Sequence, residues 1–559
     1  MSDPSSTFDY IIVGGGTAGV PIASRLSQYL PSFQVALLEA GPDAVDHPKV
    51  TDPNVWPSLI EEGLLVDYST TPQKYLDNRN VPANLAGRML SGSSGGNVGV
   101  WMRASKTDYA LIAEKAGHKR FTFEGLLPYF RRIETHWDKK ADPKIHGFTG
   151  PIHTVGGREY PFRETMLRSY EALGLRYNSQ STAGDPTGVC DLTQCYRATS
   201  PGSSERQHSA KVYDLSKVHV QCNEPVARIL FDSSNSAIGV QLVSGKILNA
   251  RKEVIVCCGA HKTPQILKLS GIGPKEELNN FQIPLIVDNA AVGDNLFDHS
   301  HLTQFFKIKY PEKGFCFPFK GTARPEYGQG IPWEFNAFSN IPPDELRPVL
   351  ASDGFSGVEN NTHHLLQDKR CHILGIPWYF PIVASNEYNP TIDVTAGGHM
   401  AFTSLHLLPV SRGAVKLRSS DAHDEPLMDP NYLSTNTDRY ILRRAVRDTL
   451  RLTETEPLAS QLDGETPPAD SAFAALSSKS TDEEIDARIR AFLSTVSHPM
   501  GTCALGTVLD DEFKVRGARN LRVCDASVFP EPVGAMPSST IYAFAEMCAD
   551  LVAGRSPTE

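Results

Sequence analysis

The first residues whose types and spacing suggest chemistry lie close to the N-terminus. GGGTAG, residues 14–19, sets Gly14, Gly16 and Gly19 in a GxGxxG pattern with Thr17 and Ala18 inside it, and Glu39 follows twenty residues after Gly19. Such a turn suits a dinucleotide. Gly14 permits the tight turn, Gly16 lets backbone approach a pyrophosphate, and Gly19 lets a helix pack on a strand. The phosphates then lie at a helix N-terminus and Glu39 accepts hydrogen bonds from ribose hydroxyls. The pattern alone does not separate NAD from FAD. A second stretch, PVGAMPSSTIYAFAE at 532–546, opens an amphipathic helix at Pro537. Proline suits the first helical position, and the residue before it is expected to be Ser, Thr, Asp or Asn, whose oxygen caps a free N–H. Met536 stands there instead.

The elements that must position these residues are legible. Tyr10–Val13 (YIIV) is a short apolar run, VPIASRLSQYL is helix-like, and QVALLEAG is a second apolar run containing Glu39. Strand, glycine turn, helix and strand make the context that the motif needs.

Bulk properties narrow the function. The 559 residues allow more than one domain, and 40% hydrophobic with 21% charged residues is an ordinary globular balance. A net charge of −10, with no basic run, argues against nucleic acid as a partner. No apolar stretch reaches a membrane span, and the N-terminus shows no signal-peptide pattern. A cytoplasmic protein is therefore expected, and its ten cysteines, without CxxC pairs, read as reduced thiols. The Asn360-Asn361-Thr362 sequon carries no weight without a secretory signal. There is no HExxH or CxxC, so no metal is expected. SGSSGG is not a serine-hydrolase elbow with matched partners.

Five further blocks carry a resemblance: GRMLSGSSGGNVGVWMRASKTDY (Gly87–Tyr109), GAHKTPQILKLSGIGP (Gly259–Pro274), VGDNLFDH (Val292–His299), SHPMGTCALG (Ser497–Gly506) and LRVCDASVFPEPVGAMPSSTIYAFAEMCADLVAG (Leu521–Gly554). In order and over nearly the whole chain they resemble the glucose–methanol–choline (GMC) family of FAD-dependent oxidoreductases; LLPYFRRIE, PVSRGAVKL and DPNYL fit as well. The resemblance implies FAD and a fold of α/β and α+β class. A Rossmann-like FAD-binding domain would be interleaved with a substrate domain built on an antiparallel sheet with helices. It implies an FAD-binding domain from 1–155, 200–310 and 490–559, and a substrate domain from 156–199 and 311–489. The polar stretch Glu456–Glu484 is expected to be a surface excursion of the latter.

By motif position the resemblance places Gly14, Gly16 and Gly19 at the pyrophosphate and Glu39 at the adenosine ribose. Arg88, Gly92, Ser93 and Asn97 fall in a loop along pyrophosphate and flavin. Val226 matches the backbone position that holds adenine, Asp525 and Ala526 the step beside the ribityl chain, and Pro537 and Ser538 the helix start at the flavin pyrimidine edge. Two residues depart from the family. Ser91 replaces a usual glycine. Gly96 occupies the position where some members carry a histidine joined covalently to flavin, so FAD is expected to be noncovalent.

Alcohol oxidation needs a base for the hydroxyl proton while hydride leaves the carbon. His498, one of 17 histidines, sits where the family holds its catalytic histidine. Met536 sits at the second catalytic position, usually histidine or asparagine. A thioether is only a weak acceptor but packs well on apolar groups. Three alternatives follow: His498 acts alone on a hydrophobic alcohol; Ser538, Ser539 or another group replaces the lost contact; or the chemistry has changed to dehydrogenation at carbon or to a non-redox cyclisation or lyase step with FAD as scaffold. A noncatalytic flavoprotein fits least. The stretch Lys313–Tyr388, poorly matched to the family, contains GFCFPFK, IPWEFNAF and GIPWYFP, which read as core rings or as an apolar pocket wall. The expected partners are a hydrophobic or aromatic small molecule and oxygen or another electron acceptor, with no nucleic acid and no membrane. The protein is expected to be a monomer or homodimer, with a role in specialised metabolism.

Overall fold

The structure is a computed structural model that describes residues 6–55, 57–319, 321–382 and 388–557. The extreme N- and C-terminal residues and parts of the aromatic stretch (320 and 383–387) lie outside them.

Thr7–Val13 forms the first strand, and Ile11, Ile12 and Val13 pair in parallel register with Val254, Ile255 and Val256 on one side and Ala36, Leu37 and Leu38 on the other. A strand flanked on both edges and covered on both faces must be apolar at successive residues, as YIIV is. The sheet runs His219–Gln221, Val35–Leu38, Thr7–Val13, Ile247–Val256, Ala237–Leu242, Val226–Phe231. The end of Ile247–Val256 also pairs in parallel with Leu521–Val523, which brings the last part of the chain back to the first. Helix Gly19–Tyr29 covers this sheet, and the C-terminal helix Ser538–Val552 packs against it. The C-terminal helix is buried nearly all round, so its charges are paired. Glu546 accepts from Arg25 at 3.0 Å and from the Tyr213 hydroxyl at 2.9 Å, and Asp550 accepts from Arg132 at 3.0 Å.

The second sheet is antiparallel. Its order is Leu462–Thr466, Ser300–Ile308, His399–His406, Ile373–Trp378, Phe335–Ser339, Gly188–Asp191, and Ser494–Thr495 pairs with the start of Ser300–Ile308. Alternation divides its faces. Leu302, Phe306 and Phe402 share a core with Leu442, Val446 and Leu450 of helix Asn436–Thr453, whose N-terminus is capped by Thr435. The register puts His301, Thr303 and Phe305 on the opposite face, level with Leu405, Thr403 and Ala401.

Three expectations are corrected here. Ser300–Ile308 and Ser494–Thr495, assigned to FAD-binding segments, pair in the second sheet, because Leu302 and Phe306 are buried against the helix at 436–453. The polar stretch 456–484 is not all surface excursion. Leu462–Thr466 forms an edge strand there, since the buried Glu465 carboxylate is satisfied by Arg488 at 3.0 Å and Gln304 at 2.8 Å. The C-terminal helix starts one residue late: Pro537 is itself the N-cap, its carbonyl accepting from Ile541 N–H at 2.9 Å.

The glycines of the turn differ in what constrains them. Gly14 has φ +100°, and a Cβ there would lie 2.5 Å from the Cys257 carbonyl oxygen. A Cβ on Gly19 would strike the Gly14 carbonyl. A Cβ on Gly16 would meet no protein atom nearer than 3.8 Å. Gly19→Ala should therefore cost about 3 kcal/mol of folding stability. Gly16→Ala should leave unfolding of the cofactor-free protein nearly unchanged while lowering bound flavin per chain. Equal destabilisation by both, in denaturant melts, would contradict this division.

Candidate active site

At the ends of the parallel strands the chain brings backbone segments close together. The turn 14–19 faces the segment Gly92–Gly95: Ser91 N–H donates to the Gly15 carbonyl at 2.7 Å, and a Cβ on Gly92 would lie 2.7 Å from Gly16 Cα. Glu39, just past the second strand, is buried and accepts from the N–H groups of Gly15 at 2.9 Å and Gly41 at 2.8 Å. Burial pushes its carboxyl up to about 7, against the pull of those N–H groups and of Arg88. Arg88 itself is exposed. The chain continues from strand His219–Gln221 past Glu39: Asn223 N–H donates to the Gly41 carbonyl at 2.9 Å and Glu224 N–H to the Glu39 carbonyl at 3.0 Å, two residues before buried Val226. Asp525 is buried and clamps the start of helix Gly259–Leu269, accepting from Gly259 N–H at 2.9 Å and the Thr263 hydroxyl at 2.6 Å, while Ala526 beside it is partly exposed. Asn97 accepts from Gly99 N–H at 2.9 Å, and exposed Ser93 from Gly87 N–H at 3.1 Å. The open space at Gly16 is the test of fit: the protein alone does not require glycine there, whereas a close-lying pyrophosphate does. The residues present fit a dinucleotide.

Ser91 has φ +105°, where glycine is favoured. Its hydroxyl offsets the strain by bonding His208 Nδ1 at 2.7 Å and accepting from Ala210 N–H at 3.0 Å. At Gly96 a Cβ would lie 2.5 Å from Leu65 Cδ2.

The proton chemistry gathers around His498. Its backbone N–H donates to Asp298 Oδ1 at 2.9 Å. The other oxygen of this buried carboxylate accepts from the Tyr432 hydroxyl at 2.5 Å and from the Thr495 hydroxyl. Nδ1 of His498 lies 3.1 Å from Nδ1 of His299, with the two rings crossed at 82°. His498 as a residue is partly exposed, but burial of its ring pushes it down to about 3, with His301 acting in the same direction. Burial therefore favours the neutral form of the imidazole. His301 Nδ1 is 3.3 Å from the Thr303 hydroxyl, which bonds Thr403 at 2.7 Å; Trp378 Nε1 donates to Thr403 at 2.8 Å. The aromatic stretch thus divides. Phe335 and Tyr379 belong to the core under the long helix, while Trp378 and Trp333, 4.5 Å apart by ring centroids, lie in the other core.

Met536 is buried at 7% exposure. Its loop is tied down by Arg370, which donates to Asp108 at 2.8 Å and to the Pro532 carbonyl at 3.0 Å, while Gly534 N–H donates to Asp108 at 3.2 Å. The first turn of the helix beyond has N–H groups without intrahelical acceptors. The hydroxyl of Ser538 donates to the Val100 carbonyl at 3.2 Å and that of Ser539 to the Met102 carbonyl, so neither is free to donate in place of Met536.

Sequence reasoning missed Asp298, His299, His301, Tyr432 and Thr495. VGDNLFDH held the signal, but nothing local links it to a histidine 200 residues away. It also missed that Glu134, His136 and His146 converge: Glu134 Oε1 lies 2.9 and 3.2 Å from the two Nδ1 atoms, while Oε2 accepts from Arg103 at 2.7 Å. The carboxylate is thus already ion-paired with Arg103, and its other oxygen holds the two imidazoles by hydrogen bonds. No helix among the described residues is long and apolar enough to cross a membrane.

Family models for GMC oxidoreductases match residues 8–301 and 409–545. The GMC-type oxidoreductase acuG of Aspergillus aculeatus is 38% identical over 550 residues, spanning 98% of this chain and 99% of that protein. Choline oxidase of Arthrobacter globiformis is 29% identical over 562 residues, spanning 98% and 94%. A solved structure of formate oxidase from Aspergillus oryzae, a study of its FAD modification, superposes with a TM-score of 0.86 at 26% identity and covers 99% of both chains. With both halves matched and a glycine turn that fits a dinucleotide, the chain belongs to the GMC oxidoreductase family, and FAD is its cofactor.

Proposed function

We propose that the protein oxidises a hydrophobic or aromatic alcohol to the corresponding carbonyl compound, with His498 taking the hydroxyl proton. One observation carries the reading: the histidine of the SHPMGTC block is held by its backbone to the buried Asp298 at 2.9 Å, which leaves its ring unbound by that carboxylate. Bound FAD would supply the acceptor for the hydride that leaves the carbinol carbon. The proton moves to His498, so the atoms and charges of the two-electron oxidation balance. Asp298 contributes position, since it bonds the backbone of His498 and not its ring. Glu39, Asp525 and the turns at 14–19 and 88–97 hold the cofactor, and the first turn of the C-terminal helix favours negative charge placed against it.

The alcohol is expected to be apolar because Met536 cannot donate to a substrate oxygen and the serines after it are already engaged. Relatives named for choline and for formate show that family membership alone does not fix the substrate. Met536 also favours a second reading, a non-redox cyclisation or a dehydrogenation at carbon using the same histidine. FAD is held without a covalent link at position 96, where glycine offers no side chain and Leu65 fills the adjoining space. We place the seams between an FAD-binding and a substrate domain at the start of Ser300–Ile308 and the end of Ser494–Thr495, where these strands join the antiparallel sheet.

Anaerobic mixing of the FAD-loaded protein with pooled aromatic, aliphatic and sugar alcohols tests this reading. An aromatic or aliphatic pool should bleach the visible flavin band. Acid precipitation of the same preparation should leave the yellow flavin in the supernatant. Bleaching by sugars alone, or a pellet that stays yellow, would count against the respective parts. Met536→Asn should keep full flavin content while raising KM for an apolar alcohol on the order of tenfold. Unchanged kinetics in both Met536→Asn and Met536→His would place the side chain away from the substrate.

A further inference from the structure

Asp298 holds both Thr495 and His498, the first by its hydroxyl and the second by its backbone N–H. Between these fixed ends the chain turns tightly, and Ser497 takes a left-handed position with φ +58°. A non-glycine residue is disfavoured there. Its N–H donates to the Thr495 hydroxyl oxygen at 2.8 Å, inside the turn. Its own hydroxyl reaches out of the turn. It donates to the Ala83 carbonyl at 2.9 Å and accepts from the Leu85 N–H at 2.9 Å.

Ala83 is itself left-handed, at φ +65°. Two non-glycine residues in a disfavoured conformation therefore meet through one pair of hydrogen bonds. Such conformations persist only where the surroundings impose them, and they collect at functional sites. The contact between the two stretches has a second grip, since Arg79 donates to the carbonyls of Arg490, at 2.7 Å, and of Leu493.

On the far side of this clasp the chain runs into the cofactor loop. Leu85–Gly87 pairs with Leu65–Asp67 and leads directly to Arg88. Gly87 N–H donates to the Ser93 hydroxyl at 3.1 Å, and a Cβ on Gly87 would lie 2.2 Å from the Gly92 carbonyl carbon. The backbone that meets Ser497 is thus packed, two residues on, against Gly92 and Ser93. His498 follows a strand of the antiparallel sheet, whereas residues 91–95 face the glycine turn of the parallel one.

We infer that Ser497 is a positioning residue that sets His498 in register with the loop along the cofactor. This rests on the proposed roles of His498 as proton acceptor and of residues 88–97 in holding FAD. The hydroxyl proton of Ser497 is engaged by Ala83, so Ser497 is not a donor to substrate.

Ser497→Gly in the FAD-loaded protein tests it, because glycine keeps the left-handed turn without strain and removes only the clasp. Hydrogen exchange at the Leu85 amide reads the clasp itself and should be about tenfold faster in the variant. The limiting rate of alcohol-driven anaerobic bleaching should fall about tenfold or more, with flavin content and the half-saturating alcohol concentration nearly unchanged. Ser497→Asn, which tolerates the turn and carries both a donor and an acceptor, should recover most of that rate. In flavin-loaded His498→Ala, adding Ser497→Gly should change the residual rate by less than about twofold, since one residue acts through the other. A wild-type limiting rate in Ser497→Gly, unchanged Leu85 exchange, or equal slowing with and without His498 would each overturn the inference. Wild-type bleaching in His498→Ala alone would refute the base itself and the inference with it, an outcome distinct from a silent Ser497→Gly beside a slow His498→Ala.

Discussion

One buried carboxylate governs the arrangement. Asp298 lies in a place where a charge without partners would be very costly. It is satisfied by three donors from separate parts of the chain: the Tyr432 hydroxyl, the Thr495 hydroxyl and the backbone N–H of His498. Meeting all three forces the start of Ser300–Ile308 beside the segment 494–500, where Ser300 pairs with Thr495 and Phe297 exchanges hydrogen bonds with Met500. The junction between the two sheets is therefore built around the same group that fixes His498. Because Asp298 grips backbone, the imidazole stays free to accept a proton and to be tuned by its histidine neighbours.

The cofactor side follows a different logic. There the protein offers backbone at close range, and side chains matter mainly by being absent. Gly14 and Gly19 are glycine because protein atoms crowd them; Gly16 is glycine although no protein atom does. Ser91 shows how such a rule is relaxed. A non-glycine residue holds a left-handed conformation because His208 and the N–H of Ala210 take its hydroxyl. The apolar Met536 loop is likewise held from outside, by the buried Arg370–Asp108 pair.

What could be read from the sequence was local. The glycine turn, its strands and the following helix obey short-range rules, and Glu39 falls at a fixed offset. The resemblance extended this to the order of the motifs and to His498. What escaped depends on distant pairings. Asp298 and His498 are 200 residues apart, Ser91 and His208 are 117, and Gln304 and Glu465 are 161. The strand at 462–466 looks like loop because one of its two buried positions is a glutamate, apolar only in effect once Arg488 neutralises it. The helix start at Pro537 moved by one residue because tertiary hydrogen bonds from Ser538, Ser539 and Thr540 to the 100–109 segment set it more strongly than capping preference does.

The central claim is that His498 accepts the hydroxyl proton while the carbinol hydrogen leaves as hydride. The most direct measurement is the anaerobic bleaching rate for an active alcohol, protiated and deuterated at the carbinol carbon, in the wild-type protein and in His498→Ala. The account predicts a primary isotope effect on bleaching, and a slowing of about 10²–10⁴-fold in the variant with its flavin retained. Bleaching at the wild-type rate in flavin-loaded His498→Ala would contradict it.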